Sequence, residues 1–377
     1  MNHKVGIYPN PFSGGEWNTS SHPLFRRISR SLEDNSWSVA GIELEDLLNP
    51  KSLTESEIQI LHMNWTESLT EYFITNGKKN LYYRLLYSQY YRFLPENLIL
   101  SRIKRRIDRW FAQLSSEQIP IIFEIHELYS YGLSSFPILY SVDLYLKEQM
   151  YKNAKGIIIH EQSCLPFILK QYSREKPYVV APLGDYAEFH GPIREKTEAR
   201  QSLGLNQSGR VLGYVGTVRP NRNPANVIRS FLKYGKANDR LIIAGQGMDI
   251  YANQSKDPRI VTYSGLLSNE KIRDIICASD FIVNDAQKYM TSAIIRTALS
   301  YHTPVIVNPY GAAEDMAQGA AIYIQDDDEP VDDAIERALT MNIEEYTTLV
   351  QSAKERNAER TWDRTGKNLV NFFEKMS

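Results

Sequence analysis

Cysteine is scarce in this sequence. There are two, Cys164 and Cys277, in 377 residues. They are far apart and sit in apolar surroundings, which argues against a disulfide framework or a zinc site and fits a reducing compartment. An excess of one charge is also missing. Lys and Arg number 43 against 45 Asp and Glu, so net charge gives no reason to expect a nucleic acid partner. No window of about 18 apolar residues occurs, and no segment is expected to cross a bilayer. The opening MNHKVGIYPNP has no charged region followed by an apolar run, so no secretory signal is expected. Low-complexity tracts and fixed-period repeats are absent. What remains is the profile of a folded cytoplasmic protein, 42% hydrophobic and 23% charged, of a length that suggests two domains.

Short apolar runs alternate with helical patterns. In the first half, strands are expected at 3–8 (HKVGIY), 58–63 (IQILHM), 120–126 (PIIFEIH), 156–161 (GIIIHE) and 178–183 (YVVAPL). In the second half they are expected at 210–216, 240–245, 259–265, 281–284, 304–308 and 320–325. HPLFRRISRSLED, SVDLYLKEQMYKNA, SNEKIRDIICAS and TSAIIRTALSYH have helical spacing. Continuous apolar strands separated by helices mean parallel sheets covered on both faces. Two such series imply two doubly wound domains, 1–190 and 191–377, with the linker in the polar stretch 184–200. The C-terminal helix, ending in WDRTGKNLVNFFEKM, is expected to pack back on the first domain.

In open parallel sheets, ligands bind beyond the carboxyl ends of the strands. After the first strand come Gly14 and Gly15, which let backbone approach a ligand closely; a plain flexible loop is the other reading. The spacing is not G-x-G-x-x-G, so a dinucleotide fingerprint is not supported. The second strand is followed by His62, Asn64, Trp65 and Glu67, the third by His126 and Glu127, the fourth by His160 and Glu161. A lone histidine at a strand end is more often a satisfied core or capping residue. Three in one sheet point to acid–base work or hydroxyl recognition. Each comes from a different strand with no close pair, which suits no metal motif.

In the second half the strand ends carry glycine and arginine. YVGTVRPNRNPANVIRSF places Gly216, Arg219 and Arg222 between a strand and a helix opened by Pro224. Gly245 and Gly247 end AGQG, Ser264 and Gly265 end TYSG, and Thr291 and Ser292 stand at an expected helix N-terminus. Free N–H groups and the helix dipole favour an anion there. Arginine binds phosphate oxygens bidentately. Together these features make a diphosphate site.

The order of these motifs resembles the GT-B glycosyltransferases, most closely the family 4-like bacterial enzymes of polysaccharide and glycan assembly. HMNWTE is similar to that family's H-x-H-W-x-E run, EIHE to its H-D run, PLGDY to P-H-G-x-Y and GTVRPNRN to G-x-x-R-P-Y-K-N. The resemblance runs through most of the chain. It implies an α/β GT-B fold of two Rossmann-like domains facing a cleft, a nucleotide-sugar donor in the C-terminal domain and a saccharide or lipid-linked acceptor in the N-terminal one. It implies that Arg219 and Arg222 hold the diphosphate, that Ser264 and Gly265 lie near the base or ribose, and that Thr291, Ser292 and Ala293 face the phosphates. His126 would lie close to the reacting sugar, with Glu127 and Glu161 as the carboxylates beside it. Gly216 and Gly245 belong to the donor site. Gly14, Gly15, His62, Asn64, Trp65 and Glu67 belong to the acceptor side. No metal and no further cofactor are expected. The sequence departs from the family at several positions, among them Glu127 for an aspartate and Arg222 for a lysine. Tyr289 and Thr297 replace two glutamates, Ala293 replaces a glycine, and Asp185 stands where the family has histidine.

Tyrosine is abundant, with 24 residues, six of them from Tyr72 to Tyr91. Between Lys78 and Arg109 there are nine Lys or Arg and two acidic residues, interleaved with Tyr82, Tyr83, Tyr87, Tyr90, Tyr91 and Phe93, with Trp110 following. This basic aromatic segment, 78–113, reads either as a contact with an anionic inner-leaflet membrane surface or as a helix packed on the sheet with its charges in water. Three functions are carried forward: a glycosyltransferase, retaining or inverting; a sugar-nucleotide epimerase of the same fold; and a non-catalytic sugar-nucleotide-binding subunit partnering an active transferase.

Overall fold

A computed structural model describes residues 3–12, 23–75, 96–130, 133, 136–252, 256–325 and 331–377. Gly14, Gly15 and most of the aromatic residues of the basic segment lie outside the described residues. The chain divides into two units, Met1–Pro182 with Trp362–Ser377, and Leu183–Thr361.

The first unit holds six parallel strands: β1 (His3–Tyr8), β2 (Trp37–Gly41), β3 (Ile60–Met63), β4 (Ile121–Glu124), β5 (Gly156–Ile159) and β6 (Tyr178–Val180), in the order β2-β1-β3-β4-β5-β6. The strand reading above omitted β2, whose five residues WSVAG carry too little apolar run to stand out. β3, β4 and β5 are buried at every position, as a sheet covered on both faces requires. Helices α1 (Pro23–Glu33), α2 (Glu67–Thr75), α3 (Glu96–Ser116) and α4 (Pro137–Asn153) belong to this unit. In α3, Ile99, Ile103, Ile107, Trp110, Phe111 and Leu114 are buried at helical spacing, and the Trp110 indole donates to Leu47 O at 2.9 Å.

The C-terminal helix, Trp362–Met376, completes this unit by packing on α1 and β6. Its buried stripe includes Trp362, Leu369, Phe372 and Phe373. Ser31 Oγ donates to Trp362 O at 3.0 Å, and Asn368 Nδ2 to Val180 O at 2.9 Å. The two helices meet at Gly366, where a Cβ would come within 2.5 Å of Ser31 Cβ and 2.8 Å of its carbonyl oxygen.

The second unit repeats the principle with β7 (Val211–Val215), β8 (Arg240–Gly245), β9 (Ile260–Ser264), β10 (Phe281–Asn284), β11 (Val305–Val307) and β12 (Ala321–Tyr323), in the order β12-β11-β10-β7-β8-β9, all parallel. Its core joins Leu212, Tyr214, Phe231, Ile243, Phe281 and Ile335. Helix α5 (Pro224–Tyr234) starts on a proline, whose missing N–H costs nothing at the first turn. Helix α6 (Ala293–Ser300) is capped by Ser292.

The units divide at Pro182/Leu183, not at 190. Residues 183–190 are held by the second unit: Arg296 Nε donates to Leu183 O at 3.0 Å, and Tyr186 N to Ser300 Oγ at 2.9 Å. The chain then returns to the first unit for its last helix. Both cysteines are buried, and no disulfide joins them.

Gly366→Val is expected to destabilise the first unit by about 1–3 kcal/mol, the cost of overpacking a tight contact, which the few tenths of a kcal/mol gained in helix propensity over glycine offset only in part. Urea unfolding of the full chain checks this. An unchanged midpoint, matching the exposed control Lys367→Ala, would show that the close approach of the two helices carries no weight.

Candidate functional site

Both sheets reverse their winding direction at one place, and the crevice beyond the carboxyl ends there is where open α/β sheets bind ligands. In the second unit the reversal falls between β7 and β10. Gly216 follows β7 with φ 138°, and a Cβ on it would lie 2.2 Å from Arg222 Nη1. Only glycine lets the guanidinium lie across the strand end. Gly245, with φ 135°, backs onto the same point, where a Cβ would meet Gly216 O at 2.0 Å.

Arg222 is fixed by this arrangement. Nη2 donates to Val215 O at 3.2 Å and to Asn284 Oδ1 at 3.1 Å, and the guanidinium lies 4.8 Å from the Tyr214 ring centroid. Tyr214 in turn donates to Asp285 Oδ1 at 2.7 Å, while Asp285 Oδ2 accepts from Asn223 N at 2.8 Å. Burial raises the Tyr214 phenol well above its ordinary range, so it stays a donor. Asn284 Nδ2 donates to Ser292 Oγ at 3.3 Å, which links Arg222 to the start of α6. Three buried atoms here have no hydrogen-bond partner among the described residues: Arg222 Nε, Asn221 Oδ1 and Thr291 Oγ1. Leaving such an atom unsatisfied costs about 1–3 kcal/mol, so a polar ligand is favoured at this edge.

Other residues named from the sequence gather around it. Arg219 is exposed, and its carbonyl accepts from Arg222 N at 3.0 Å. Ala293 is exposed at the first turn of α6. Gly265 N donates to Gly245 O at 3.2 Å, and Ser264 Oγ donates to Asp249 Oδ1 at 3.1 Å. The residues at the two glutamate positions turn inward. Tyr289 donates to Asn308 O at 3.1 Å, and Thr297 Oγ1 to Ala293 O at 2.7 Å inside its own helix. Asp185 caps a turn, accepting from Ala187 N at 2.9 Å.

In the first unit the reversal falls between β1 and β3. Asn64 joins the two strand ends, donating from its backbone N to Tyr8 O at 3.0 Å and from Nδ2 to the same oxygen at 3.3 Å. Its Oδ1 accepts from His126 Nε2 at 3.1 Å. His126 Nδ1 lies 3.2 Å from His160 Nε2, and His160 Nδ1 donates to Ala181 O at 3.0 Å. Beneath them sits Glu124, fully buried at the end of β4. His62 Nε2 donates to Glu124 Oε2 at 2.7 Å, and Glu124 Oε1 lies 3.3 Å from both His126 Nε2 and His160 Nε2. Burial alone would raise the Glu124 carboxyl, but His126, His62 and His160 outweigh it and hold it at about 2. The donor atoms of Glu124, His126 and His160 lie within 4.8 Å of one another. His126 and His160 also bond to Asn64 and Ala181.

A second charged group lies at the same end of the sheet. Lys147, buried in α4, is 3.1 Å from Asp143 Oδ2 and 3.7 Å from Glu127 Oε1, and donates to Ser130 Oγ at 2.6 Å. Asp143 also accepts from Thr66 at 3.0 Å and from Thr70 at 3.1 Å. Burial would lower the Lys147 ammonium, but Asp143, Glu127 and Glu67 raise it. Glu67 opens α2, and burial pushes its carboxyl up to about 7, with Lys147 opposing and Glu127 and Asp143 adding.

The structure thus brings together His126, Asn64, Trp65, Glu67 and Glu127, with the Trp65 ring 5.1 Å from His126. His62 is a correction. It is 0% exposed, inside β3 with its ring against Phe373 at 5.7 Å, and it supports Glu124 instead of facing an acceptor. Glu161 is buried as well, at the start of the turn Gln162–Cys164. Glu124, Lys147, Asn284 and Asp285 were missed. A lone acid inside the apolar run IIFEI is a visible signal for Glu124, because a buried charge requires a partner.

Glu67 gives a pH test. Its carboxyl is raised on folding, so its contribution to stability is complete below the ordinary carboxylate range and is lost as pH rises through about 7. Glu67→Gln is expected to flatten the decline in melting temperature between pH 5 and pH 8 (roughly from the ordinary carboxylate titration point to one unit above the raised one). A decline as steep as in the parent chain would mean that Glu67 ionises normally.

No family model matches the chain. Among curated proteins it is similar to D-inositol 3-phosphate glycosyltransferase of Corynebacterium urealyticum, 22% identical over 247 residues, which is 60% of this chain and 58% of that protein. Among solved structures it is similar to sucrose-phosphate synthase from Thermosynechococcus elongatus, with a TM-score of 0.70 and 12% identity over 99% of this chain and 98% of the other. It is also similar to Anabaena HepE in complex with UDP-glucose, with a TM-score of 0.65 and 11% identity over 99% of each chain. With its two doubly wound parallel sheets, the chain has a GT-B-type fold.

Proposed function

We propose that this chain is a glycosyltransferase that moves a sugar from a nucleoside diphosphate sugar to a saccharide or lipid-linked acceptor in glycan assembly. One observation carries the reading: the guanidinium of Arg222, locked across Gly216 and tied through Asn284 to the start of α6. A preorganised cation beside a helix N-terminus, with unsatisfied polar atoms around it, suits a diphosphate leaving group, whose departing charge it would stabilise. The similar fold of HepE, solved with UDP-glucose, supports the same reading. In it, Arg219 and Arg222 supply the counter-charge without a metal. Thr291, Ser292 and Ala293 meet the phosphates, and Ser264 and Gly265 lie by the ribose or base. Trp65, Glu67 and Glu127 serve the acceptor, and His126 the reacting sugar.

A second reading has a specific observation behind it. Tyr289 and Thr297 replace two family glutamates and hydrogen-bond internally. A subunit that binds a sugar nucleotide without turning it over would tolerate that loss. Nucleoside diphosphates and their sugars are expected to raise the melting temperature by several degrees near saturation, since ligand at about 100 times Kd adds about 2.7 kcal/mol. Arg222→Ala should weaken that binding at least about tenfold, the loss of one charge-assisted hydrogen bond or more, with Arg222→Lys intermediate. No shift with any nucleotide would overturn the donor site. Binding without transfer to any acceptor would favour the second reading.

The same proposal includes contact with an anionic membrane surface. On α3, Leu98, Arg102, Arg105 and Arg109 follow one another at helical spacing and are exposed, Leu98 to 62%. Lys104 and Arg106 do not share this face. Lys104 Nζ sits 4.7 Å from the Tyr145 ring centroid, and Arg106 Nη1 donates to Phe73 O at 2.9 Å. No helix among the described residues is long and apolar enough to cross a membrane. Replacing Arg102, Arg105 and Arg109 by glutamine should weaken binding to phosphatidylserine vesicles more than tenfold, at about 1 kcal/mol per basic residue, and leave neutral vesicles unaffected. Equal binding of variant and parent would leave α3 as a solvated helix.

A further inference from the structure

The hydrogen bonds around His126 and His160 fix how many protons the two rings carry. Asn64 Nδ2 faces the Tyr8 carbonyl, a pure acceptor, so Asn64 presents its oxygen to His126. His126 Nε2 must therefore carry a hydrogen. At the other end, His160 Nδ1 faces the Ala181 carbonyl and must carry one too. Between the rings, His126 Nδ1 and His160 Nε2 are 3.2 Å apart. Two bare nitrogens there would repel, and two N–H groups would clash, so one proton lies between them. The four nitrogens then hold three protons, one more than two neutral imidazoles hold.

We propose that His126 and His160 form a singly cationic pair whose extra proton is kept in place by the buried Glu124 carboxylate, a positioning residue, so that the pair offers only N–H donors. The charge balance is local. Glu124 Oε1 lies 3.3 Å from a nitrogen of each ring without a hydrogen-bond geometry to either, and its other oxygen is occupied by His62. Among the described residues, Glu124 from β4 faces the pair and is itself held by His62 from β3, and the aromatic neighbours include Phe25 of α1, Trp65, and Phe373 of the C-terminal helix against His62. Glu161, next in the chain to His160, is buried. One carboxylate against one imidazolium leaves the buried group neutral overall. The lowered Glu124 carboxyl agrees with this.

The consequence rests on the transferase reading given above. A ring pair that already holds its extra proton cannot accept another from a sugar hydroxyl near neutral pH. If the reaction uses a base, that role falls to the carboxylates beside Lys147, of which Glu67, raised to about 7, is the one poised to exchange a proton.

The test counts protons directly, without any need for turnover. In the full-length chain labelled with 15N-histidine, long-range proton–nitrogen correlation spectra distinguish protonated from bare ring nitrogens, and His126→Gln and His160→Gln assign the signals. Three protonated nitrogens for the pair at pH 7.5, about one unit above the ordinary histidine midpoint, are expected. Glu124→Gln should remove most of the third-proton signal at that pH, and Glu124→Asp should restore most of it. Two neutral rings in the parent chain at that pH would overturn the proposal, as would zinc recovered at one equivalent per chain. The parent count decides the matter even if Glu124→Gln does not fold. Where transfer activity is found, Glu67→Gln should remove the limb of the kcat profile that rises through pH 7. If that limb survives while the three-proton count holds, the assignment of the base fails and the cationic pair stands.

Discussion

Each sheet of this protein buries both faces of its strands, and that constraint decides where chemistry can occur. β3, β4, β5, β7 and β10 have no exposed position. A strand of that kind has room for polar groups only where it stops. Most candidate functional residues in the two units therefore stand at or beyond a carboxyl end, with Lys147 and Asp143 joining from α4, and Arg222 and Asn64 lie where the winding of each sheet reverses. The repeated architecture produces two sites of different character from one rule.

The difference lies in how each edge handles buried charge. The second unit holds an arginine against a carbonyl, an amide and an aromatic face. None of these three partners of Arg222 is a carboxylate, so they leave its charge available to an anion. In the first unit the charges are opposed from within: Glu124 by imidazoles, and Lys147 by Asp143 and Glu127. Such an edge is internally compensated and suits a neutral ligand recognised by hydrogen bonds and stacking, as the half-buried Trp65 allows.

Much of this was legible in the sequence because burial on both faces leaves continuous apolar runs. Eleven of the twelve strands announced themselves that way, and β2 escaped because WSVAG mixes small and polar residues. Gly216 and Arg222 could be paired from their spacing. The partners that fix Arg222 could not, since Asn284 lies 62 positions away. His62 misled for the opposite reason. Its place near a strand end looked like access, yet it falls one residue before that end, on the side covered by Phe373. The boundary at Pro182 was displaced in the reading because polarity of a linker says nothing about which core holds its backbone. Arg296 and Ser300 decide that.

The return of the last helix to the first unit has a temporal side. Leu183–Thr361 is one unbroken stretch, whereas the first unit needs Trp362–Ser377 to cover α1. Domains form in the order in which their parts leave the ribosome. The unit that is synthesised first is therefore the last to be finished. Until Gly366 has docked against Ser31, Trp37 and β6 lack the cover of the last helix, and the newly made chain carries that surface through the whole synthesis of its second unit.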